Sequence, residues 1–184
     1  MSRRRRWWGK GSFVLPGRRS AFGVLLLAVL VLVRWLQDQR EPGPPEVLGE
    51  GLYQVARVID GDTLELTNRA RVRLIGVDTP ETVKPNHPVE PWGPEAAEFT
   101  RRFVSGSEVR LEFDHERADR HGRFLAYVWV GQRLLNEELI RAGLGRFEPH
   151  YRYSRVFKER LRRAEREAKA EKRGIWSGEQ MGRL

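Results

Sequence analysis

The chain has 184 residues, a formal charge of +9 and no cysteine. Its length suits one domain with an appendage, and the lack of cysteine excludes disulfides, iron–sulfur clusters and thiolate zinc sites. Seven of the 34 basic residues and none of the 25 acidic residues lie in residues 1–20, so the rest of the chain carries 27 basic against 25 acidic residues. This nearly neutral remainder argues against a protein that coats nucleic acid by charge alone, and it favours local contacts with phosphate.

The amino terminus carries a targeting segment. Residues 21–33 are an unbroken apolar run behind the basic residues 1–20. At ~1.5 Å per residue this run covers only ~20 Å of the ~30 Å hydrocarbon core, so a spanning helix needs residues up to Leu36. We predict a basic cytoplasmic terminus at 1–20 and a signal anchor at 21–36, which places the following domain outside the cytoplasm. A cleaved signal peptide or a buried helix stays an alternative, although no A-x-A-like cleavage site follows the run.

The composition changes again after the apolar run. Residues 37–51 contain three prolines and three glycines, which is typical of a linker. Strand-like and helix-like patterns follow over residues 52–178, and residues 179–184 form a short tail. The predicted organisation after the anchor is therefore a linker, one folded domain and a tail.

The domain begins with the pattern of a small barrel. Apolar and polar residues alternate over 53–59 and again over 108–114, which is the period of half-buried strands. Shorter strands are predicted at 63–66 and 71–77, each next to a turn sequence. Residues 124–130 are apolar without alternation, as expected for a central strand.

Helix signals separate and follow these strands. A Gly-Pro-Glu sequence begins a helix over 93–104, because proline is tolerated at the first helical position. Residues 135–142 form a short helix, and a longer one is capped by Ser154 and stopped by Gly174. The predicted fold class is α+β, a five-stranded OB-fold Greek-key barrel with three helices, preceded by an N-terminal membrane-anchor helix.

Acidic and arginine side chains cluster at the ends of the strand-like segments, in residues 58–63, 73–81 and 119–123. Carboxylates are ligands for a hard cation, and guanidinium groups bind phosphate. Phosphodiester hydrolysis needs both, because a divalent ion and arginine offset the charge on the phosphoryl oxygens while a carboxylate activates water. The clusters favour a metal-dependent nuclease.

Several motifs in series resemble the thermonuclease family typified by staphylococcal nuclease. They are IDGDT at 59–63, RLIGVDTPET at 73–82, GPEA at 93–96, DRHGRFLAY at 119–127 and GIW at 174–176. Their order and spacing are far more specific than any one motif. The resemblance implies an OB-fold barrel with three helices, one bound Ca²⁺, and cleavage of DNA and RNA with little sequence preference to leave 3′-phosphates.

The resemblance also implies a metal site. By position, Asp62 and Asp78 correspond to the side-chain ligands of Ca²⁺, and the backbone carbonyl of Thr79 corresponds to a third ligand. Oxygen donors suit a hard cation. Taken singly, Asp62 and Asp78 also fit ordinary turn positions.

Three catalytic residues follow from the same match. Glu81 resembles the general base, although its carboxylate could also orient water without accepting a proton. Arg73 and Arg123 resemble the two arginines that bind the scissile phosphate, for which a planar, permanently charged guanidinium is well suited. The alternatives are a solvated loop position for Glu81 and a solvated strand face for Arg73.

The nucleotide pocket departs from the family pattern. Arg120 and His121 stand where the family type has lysine and tyrosine, and both can contact a terminal phosphate or a base. Tyr151 and Tyr153 are candidates for an aromatic pair that lines this pocket. Packing at the start of the last helix is the alternative for both tyrosines.

The leading expectation is a monomeric, membrane-anchored, Ca²⁺-dependent nuclease that acts on DNA and RNA outside the cytoplasm, with no protein partner indicated. Secretion after signal cleavage is the alternative for its location. An inactive OB-fold module that binds nucleic acid or protein, tethered to the membrane, and an envelope scaffold are the alternatives for its function. The joint presence of the five candidate metal and catalytic side chains favours chemistry; they are Asp62, Arg73, Asp78, Glu81 and Arg123.

Overall fold

The structure is a computed structural model that describes residues 18–38, 43–82 and 90–178. The chain divides into two compact units, Met1–Pro42 and Gly43–Leu184. The described part of the first unit is one helix, α1 (Arg18–Asp38), which contains the predicted anchor. Across the described ranges, no helix combines the length and apolar character needed to cross a membrane. The predicted tail at 179–184 lies outside the described residues.

The second unit contains the predicted strands and helices in the predicted order. In chain order these are β1 (Gly51–Asp60), β2 (Thr63–Leu66), β3 (Arg71–Leu74), β4 (Val77–Asp78), α2 (Gly93–Val104), β5 (Glu108–Glu112), β6 (Phe124–Val130), β7 (Arg133–Leu134), α3 (Leu135–Arg141), β8 (Arg146–Phe147) and α4 (Arg155–Ala170), followed by a 3₁₀ turn at Gly174–Trp176.

Five of these strands close into a barrel. β1 pairs antiparallel with β2 and β5, β2 pairs with β3, and β5 pairs with β6. A parallel pairing of β3 with β6 closes the ring, with Arg73 opposite Leu125. The prediction of a five-stranded barrel with helices is therefore confirmed.

The core fills this barrel and the space beneath the last two helices. Leu64, Val72, Leu74 and Leu125 are fully buried in the core. Each buried leucine contributes on the order of 2 kcal/mol by leaving water. In α4 the buried positions Leu161, Ala164 and Ala168 lie three and four residues apart, so they form one face of the helix.

The segment predicted as one strand over 71–77 is two short strands separated by a turn. β3 ends at Leu74, and Gly76 has a φ of +79°. A Cβ at Gly76 would lie 2.6 Å from Leu161 Cδ1 and 2.7 Å from the Tyr153 hydroxyl, so only glycine fits this position. The turn sends residues 77–82 across the mouth of the barrel, where β4 pairs with β8.

Helix α2 holds the turn after β1 against that crossing segment. Thr100 Oγ1 donates a hydrogen bond of 2.6 Å to the carbonyl of Gly61. A Cβ at Gly61 would lie 2.7 Å from Ala96 Cβ and 2.8 Å from Thr79 Oγ1. These close approaches bring the IDGDT turn and the segment around Thr79 to one place.

Candidate active site

Arg73 lies at the centre of the candidate site. It lies on strand β3 between the core residues Val72 and Leu74, and it is only 8% exposed. Its Nη1 donates to Asp62 Oδ1, while its Nη2 donates to Asp78 Oδ1 at 2.9 Å and to the Val77 carbonyl at 3.2 Å. One guanidinium thus joins the two predicted metal-ligating aspartates. Among the residues described, the buried Arg73 Nε has no hydrogen-bond partner.

Asp62 is held rigidly in the turn after β1. It is 1% exposed, and its Oδ2 accepts hydrogen bonds of 2.9 Å from both the backbone nitrogen and the hydroxyl of Thr79. Its Oδ1 also accepts from the Thr63 hydroxyl at 3.0 Å. Burial raises the pKa of Asp62, against the opposing influence of the Arg73 charge and of the Thr79 hydrogen bonds.

Glu81 lies beside a second aspartate of the IDGDT turn. Burial raises the pKa of Glu81, and the negative charges of Asp60 and Asp62 raise it further, while Arg73 lowers it. Asp60 is buried and accepts hydrogen bonds of 2.8 Å from the Gly61 nitrogen and the Thr82 hydroxyl. Sequence reasoning did not select Asp60, although it is part of the IDGDT motif.

Arg123 is positioned by a carboxylate of its own turn. Its Nε donates to Asp119 Oδ2 at 2.7 Å and its backbone nitrogen donates to Asp119 Oδ1 at 3.0 Å. Burial alone would raise the pKa of Asp119, but the hydrogen bonds from Arg123 and the His121 nitrogen hold that pKa below its usual value. Asp119 therefore stays ionised and restricts the Arg123 side chain.

Tyr151 lies within range of the charges of both predicted phosphate-binding arginines. Burial raises the pKa of the Tyr151 hydroxyl, while the charges of Arg73 and Arg123 both lower it. Both guanidinium groups therefore act on the same hydroxyl. Arg120 and His121 are exposed on the turn before Arg123, with Arg120 Nε 3.2 Å from His121 Nε2.

Tyr153 takes a different position from its predicted partner. It is 5% exposed, its hydroxyl donates to the Glu148 carbonyl at 2.8 Å, and its ring meets that of Tyr127 edge to face with centroids 6.4 Å apart. The same hydroxyl faces Gly76 in the turn after β3. This packing agrees with the alternative for Tyr153, packing at the start of the last helix, and a role of Tyr153 in the nucleotide pocket stays a prediction.

The number of carboxylates in the site indicates whether its side chains fit the predicted metal ion. Nowhere in the described ranges do three histidine, aspartate or glutamate side chains group closely enough to hold an ion by themselves. Yet Asp62 and Asp78 both contact the Arg73 guanidinium, and the charges of Asp60 and Asp62 act on Glu81, so carboxylates outnumber this arginine. The Asp78 side chain is 53% exposed. Such an excess of negative charge is costly without further cations, and oxygen donors suit Ca²⁺. The donor set fits a hard divalent ion.

The five-stranded barrel carries a buried arginine between carboxylates, a combination that suits a protein acting on an anionic ligand. The family model described as Staphylococcal nuclease homologue matches residues 71–178. The thermonuclease of Staphylococcus hyicus is 43% identical over 171 residues, which cover 87% of this chain and 99% of the relative. The thermonuclease of Staphylococcus intermedius is 43% identical over 170 residues, which cover 86% and 98%.

Endonuclease YncB of Bacillus subtilis strain 168 is 40% identical over 125 residues, which cover 66% of this chain and 59% of the relative. The chain therefore belongs to the staphylococcal nuclease homologue family. The resemblance to thermonucleases and the prediction of a nuclease enzyme are both confirmed.

Proposed function

We propose that this nuclease is a Ca²⁺-dependent phosphodiesterase that hydrolyses DNA and RNA with low sequence specificity and leaves 3′-phosphates. One observation carries the proposal: the Arg73 guanidinium donates to both Asp62 and Asp78 and keeps a buried Nε without a partner among the described residues. The two carboxylates are therefore close enough to share a cation, and Arg73 retains a donor for a phosphate oxygen.

The cation would be held by the side chains of Asp62 and Asp78 and by the carbonyl of Thr79. When bound, Ca²⁺ supplies a Lewis acid that offsets the charge developing on the phosphoryl oxygens. Arg73 and Arg123 bind the non-bridging oxygens of the scissile phosphate, and Asp119 keeps Arg123 oriented toward it.

Glu81 activates the attacking water. Its pKa is raised by burial and by Asp60 and Asp62, which makes it a stronger proton acceptor than an exposed glutamate. As the water oxygen bonds to phosphorus, its proton passes to Glu81. The bond from phosphorus to the 5′-oxygen breaks, and that oxygen takes a proton from solvent. The products are a 3′-phosphate and a 5′-hydroxyl.

Low sequence specificity follows from the groups that make the contacts. Arg73 and Arg123 bind phosphate, which is the same in every nucleotide of DNA and RNA. Tyr151, Arg120 and His121 are the candidates for contacts with the nucleotide next to it. Aromatic and guanidinium groups stack on any base, so these contacts tolerate sequence changes.

For the location, we propose that the apolar run at 21–33 anchors the protein and that the nuclease domain is extracytoplasmic. The basic residues 1–20 before the run support this orientation. Fractionation of cells and the mass of the mature protein test it. A full-length protein in the membrane fraction is expected, and a mature protein that lacks the first ~35 residues would indicate a secreted form instead.

The enzymatic proposal is tested with the full chain in detergent. Single-stranded DNA and RNA oligonucleotides are incubated with Ca²⁺ or with a chelator, and the new ends are examined. We expect cleavage of both polymers with Ca²⁺ only, and products that support primer extension only after phosphatase treatment. Products with free 3′-hydroxyls, or no cleavage at all, would contradict the proposal.

A further inference from the structure

A cavity lies directly beside the candidate active site. Its volume is about 470 Å³, within the range of small-molecule sites. Asp78 and Thr79 of the active site form one part of its wall, and Glu90, Trp92 and Arg146 form others. A substrate chain bound across Asp78 would therefore continue into this space. Another cavity, which His121 lines, shares none of these residues.

Arg146 is the basic group of this cavity. It lies on β8 directly opposite Asp78 on β4, so the strand pairing fixes its position beside the active site. Its guanidinium carbon is 4.8 Å above the ring centre of Trp176, a contact that orients the group without using its hydrogen-bond donors. Within the described ranges it makes no ion pair with a carboxylate, so an exposed cation is left to bind an anion.

Trp92 is the aromatic group of the cavity. It precedes α2 with a φ of +73°, a left-handed conformation that is strained for a bulky residue. The neighbouring Gly93 keeps this geometry, since its nitrogen donates to the Glu90 carbonyl at 3.1 Å and a Cβ there would lie 3.0 Å from the Glu81 carbonyl. The half-buried indole is thus fixed next to the loop that carries Glu81.

The carboxylate of Glu90 in the same wall is already engaged. Its Oε2 accepts a hydrogen bond of 3.2 Å from the Glu81 nitrogen. Glu90 therefore supports the loop that carries Glu81, and Arg146 is the basic side chain of the cavity wall. A phosphate next to an aromatic base is the ligand chemistry that an arginine and a tryptophan recognise together.

We propose that this cavity is a second nucleotide subsite, in which Trp92 stacks on a base next to the scissile phosphodiester and Arg146 binds the outer phosphate of that nucleotide. The inference rests on the proposed function, because it assigns a further part of the same substrate chain. It explains why Arg146 is held at the register of Asp78 and left without a carboxylate partner in the described structure.

The test compares three substrates with Ca²⁺ present: the dinucleotide TpT, the same dinucleotide with a 5′-terminal phosphate, and the same dinucleotide with a 3′-terminal phosphate. One of the two terminal phosphates is expected to raise kcat/KM about 10-fold over TpT, because a charged hydrogen bond is gained. Arg146→Gln should abolish that advantage through KM and leave the rate on TpT unchanged. Arg146→Lys should restore part of it.

Arg110→Gln is the matched control, since Arg110 stacks on Trp129 at 5.0 Å on another part of the barrel. It should keep the full effect of the terminal phosphate. Trp92→Leu should remove the preference for TpT over an analogue with one abasic residue, and Trp92→Phe should keep it. Thermal unfolding of each variant separates loss of binding from loss of folding.

The outcomes separate the two proposals. If the wild type cleaves neither TpT nor longer DNA, the proposed function fails and the subsite with it. If it cleaves all three dinucleotides equally well, the nuclease proposal stands and the subsite is contradicted. A phosphate effect that persists in Arg146→Gln would also contradict the assignment.

Discussion

Carboxylates position both arginines of the candidate site, but the two arrangements differ. Arg73 is enclosed by Asp62 and Asp78 at the barrel mouth, while Arg123 is oriented by Asp119 within one turn. The first arrangement arises from residues far apart in the chain, whereas the second is local. Arg123 is therefore the better residue for mutation, because its loss perturbs the core less.

We expect Arg123→Ala to lower kcat on single-stranded DNA on the order of 10²- to 10³-fold, because the phosphoryl transition state loses one charged donor. The thermal unfolding temperature should change little, since the side chain is partly exposed. Arg110→Ala serves as the control and should keep the wild-type rate. An undiminished kcat in Arg123→Ala would show that this residue does not contact the substrate.

The sequence predicted the residues of the site better than their surroundings. The motif spacing identified Asp62, Arg73 and Asp78, and the structure brings them into contact. Tyr151 and Tyr153 could not be separated by sequence, because both are aromatic and only two residues apart. The turn at Gly76 distinguishes their surroundings, since the Tyr153 hydroxyl lies against it. The sequence did not indicate Asp60 for a similar reason, because its proximity to Glu81 depends on the path of residues 77–82.

At the level of elements, the turn after β3 determines where residues 77–82, which include Asp78 and Glu81, lie. Gly76→Ala should lower the free energy of unfolding by more than about 2 kcal/mol, since a Cβ at 2.6 Å from Leu161 adds overpacking to the cost of a positive φ. Activity should fall as well, because residues 77–82 must shift.

Gly106→Ala is the control for this prediction. Gly106 has a φ of +67° but open space around its Cβ position, so its substitution carries only the backbone cost of about 1 kcal/mol. Urea unfolding of both variants measures the difference. Equal losses of stability would show that the close approach at Gly76 is unimportant.

The contact between α3 and α4 contains an ion cluster that makes stability depend on pH. Burial alone would raise the pKa of Glu137, but Arg160 and Arg141 lower it overall. A carboxylate with a lowered pKa stabilises the folded state above its unfolded pKa of about 4.3, and this stabilisation is lost as the pH falls through the folded pKa. The free energy of unfolding should therefore decrease below about pH 4.3.

Glu137→Gln should reduce this pH dependence and lower stability at neutral pH. Glu159→Gln is the control, because Glu159 is an exposed partner of Arg162 on α4. Chemical unfolding from pH 7 to pH 3 provides the measurement. The same pH dependence in wild type and Glu137→Gln would exclude a role for this cluster.

At the scale of the whole molecule, the elements of the barrel were predictable because residues 53–59 and 108–114 alternate and because Gly93-Pro94, Ser154 and Gly174 mark helix ends. Closure of the barrel was not predictable, since the parallel pairing of β3 with β6 joins Val72 to Phe124 across 51 intervening positions, and no local pattern records it. Arg73 lies on β3 and Arg123 lies directly before β6, so this pairing brings the two arginines to neighbouring parts of the barrel. The fold thus assembles the site from segments whose relation the sequence alone does not give.

The central claim is that Asp62 and Asp78 converge on one cation beside Arg73 and that this cation is needed for phosphodiester hydrolysis. Titration of Ca²⁺ against the rate of single-stranded DNA cleavage tests it most directly, with wild type, Asp78→Asn and the exposed control Glu159→Gln. Asp78→Asn should need at least ~10-fold more Ca²⁺ for half-maximal rate, because one anionic ligand is lost. Cleavage that resists a chelator, or an unchanged Ca²⁺ dependence in Asp78→Asn, would contradict the account.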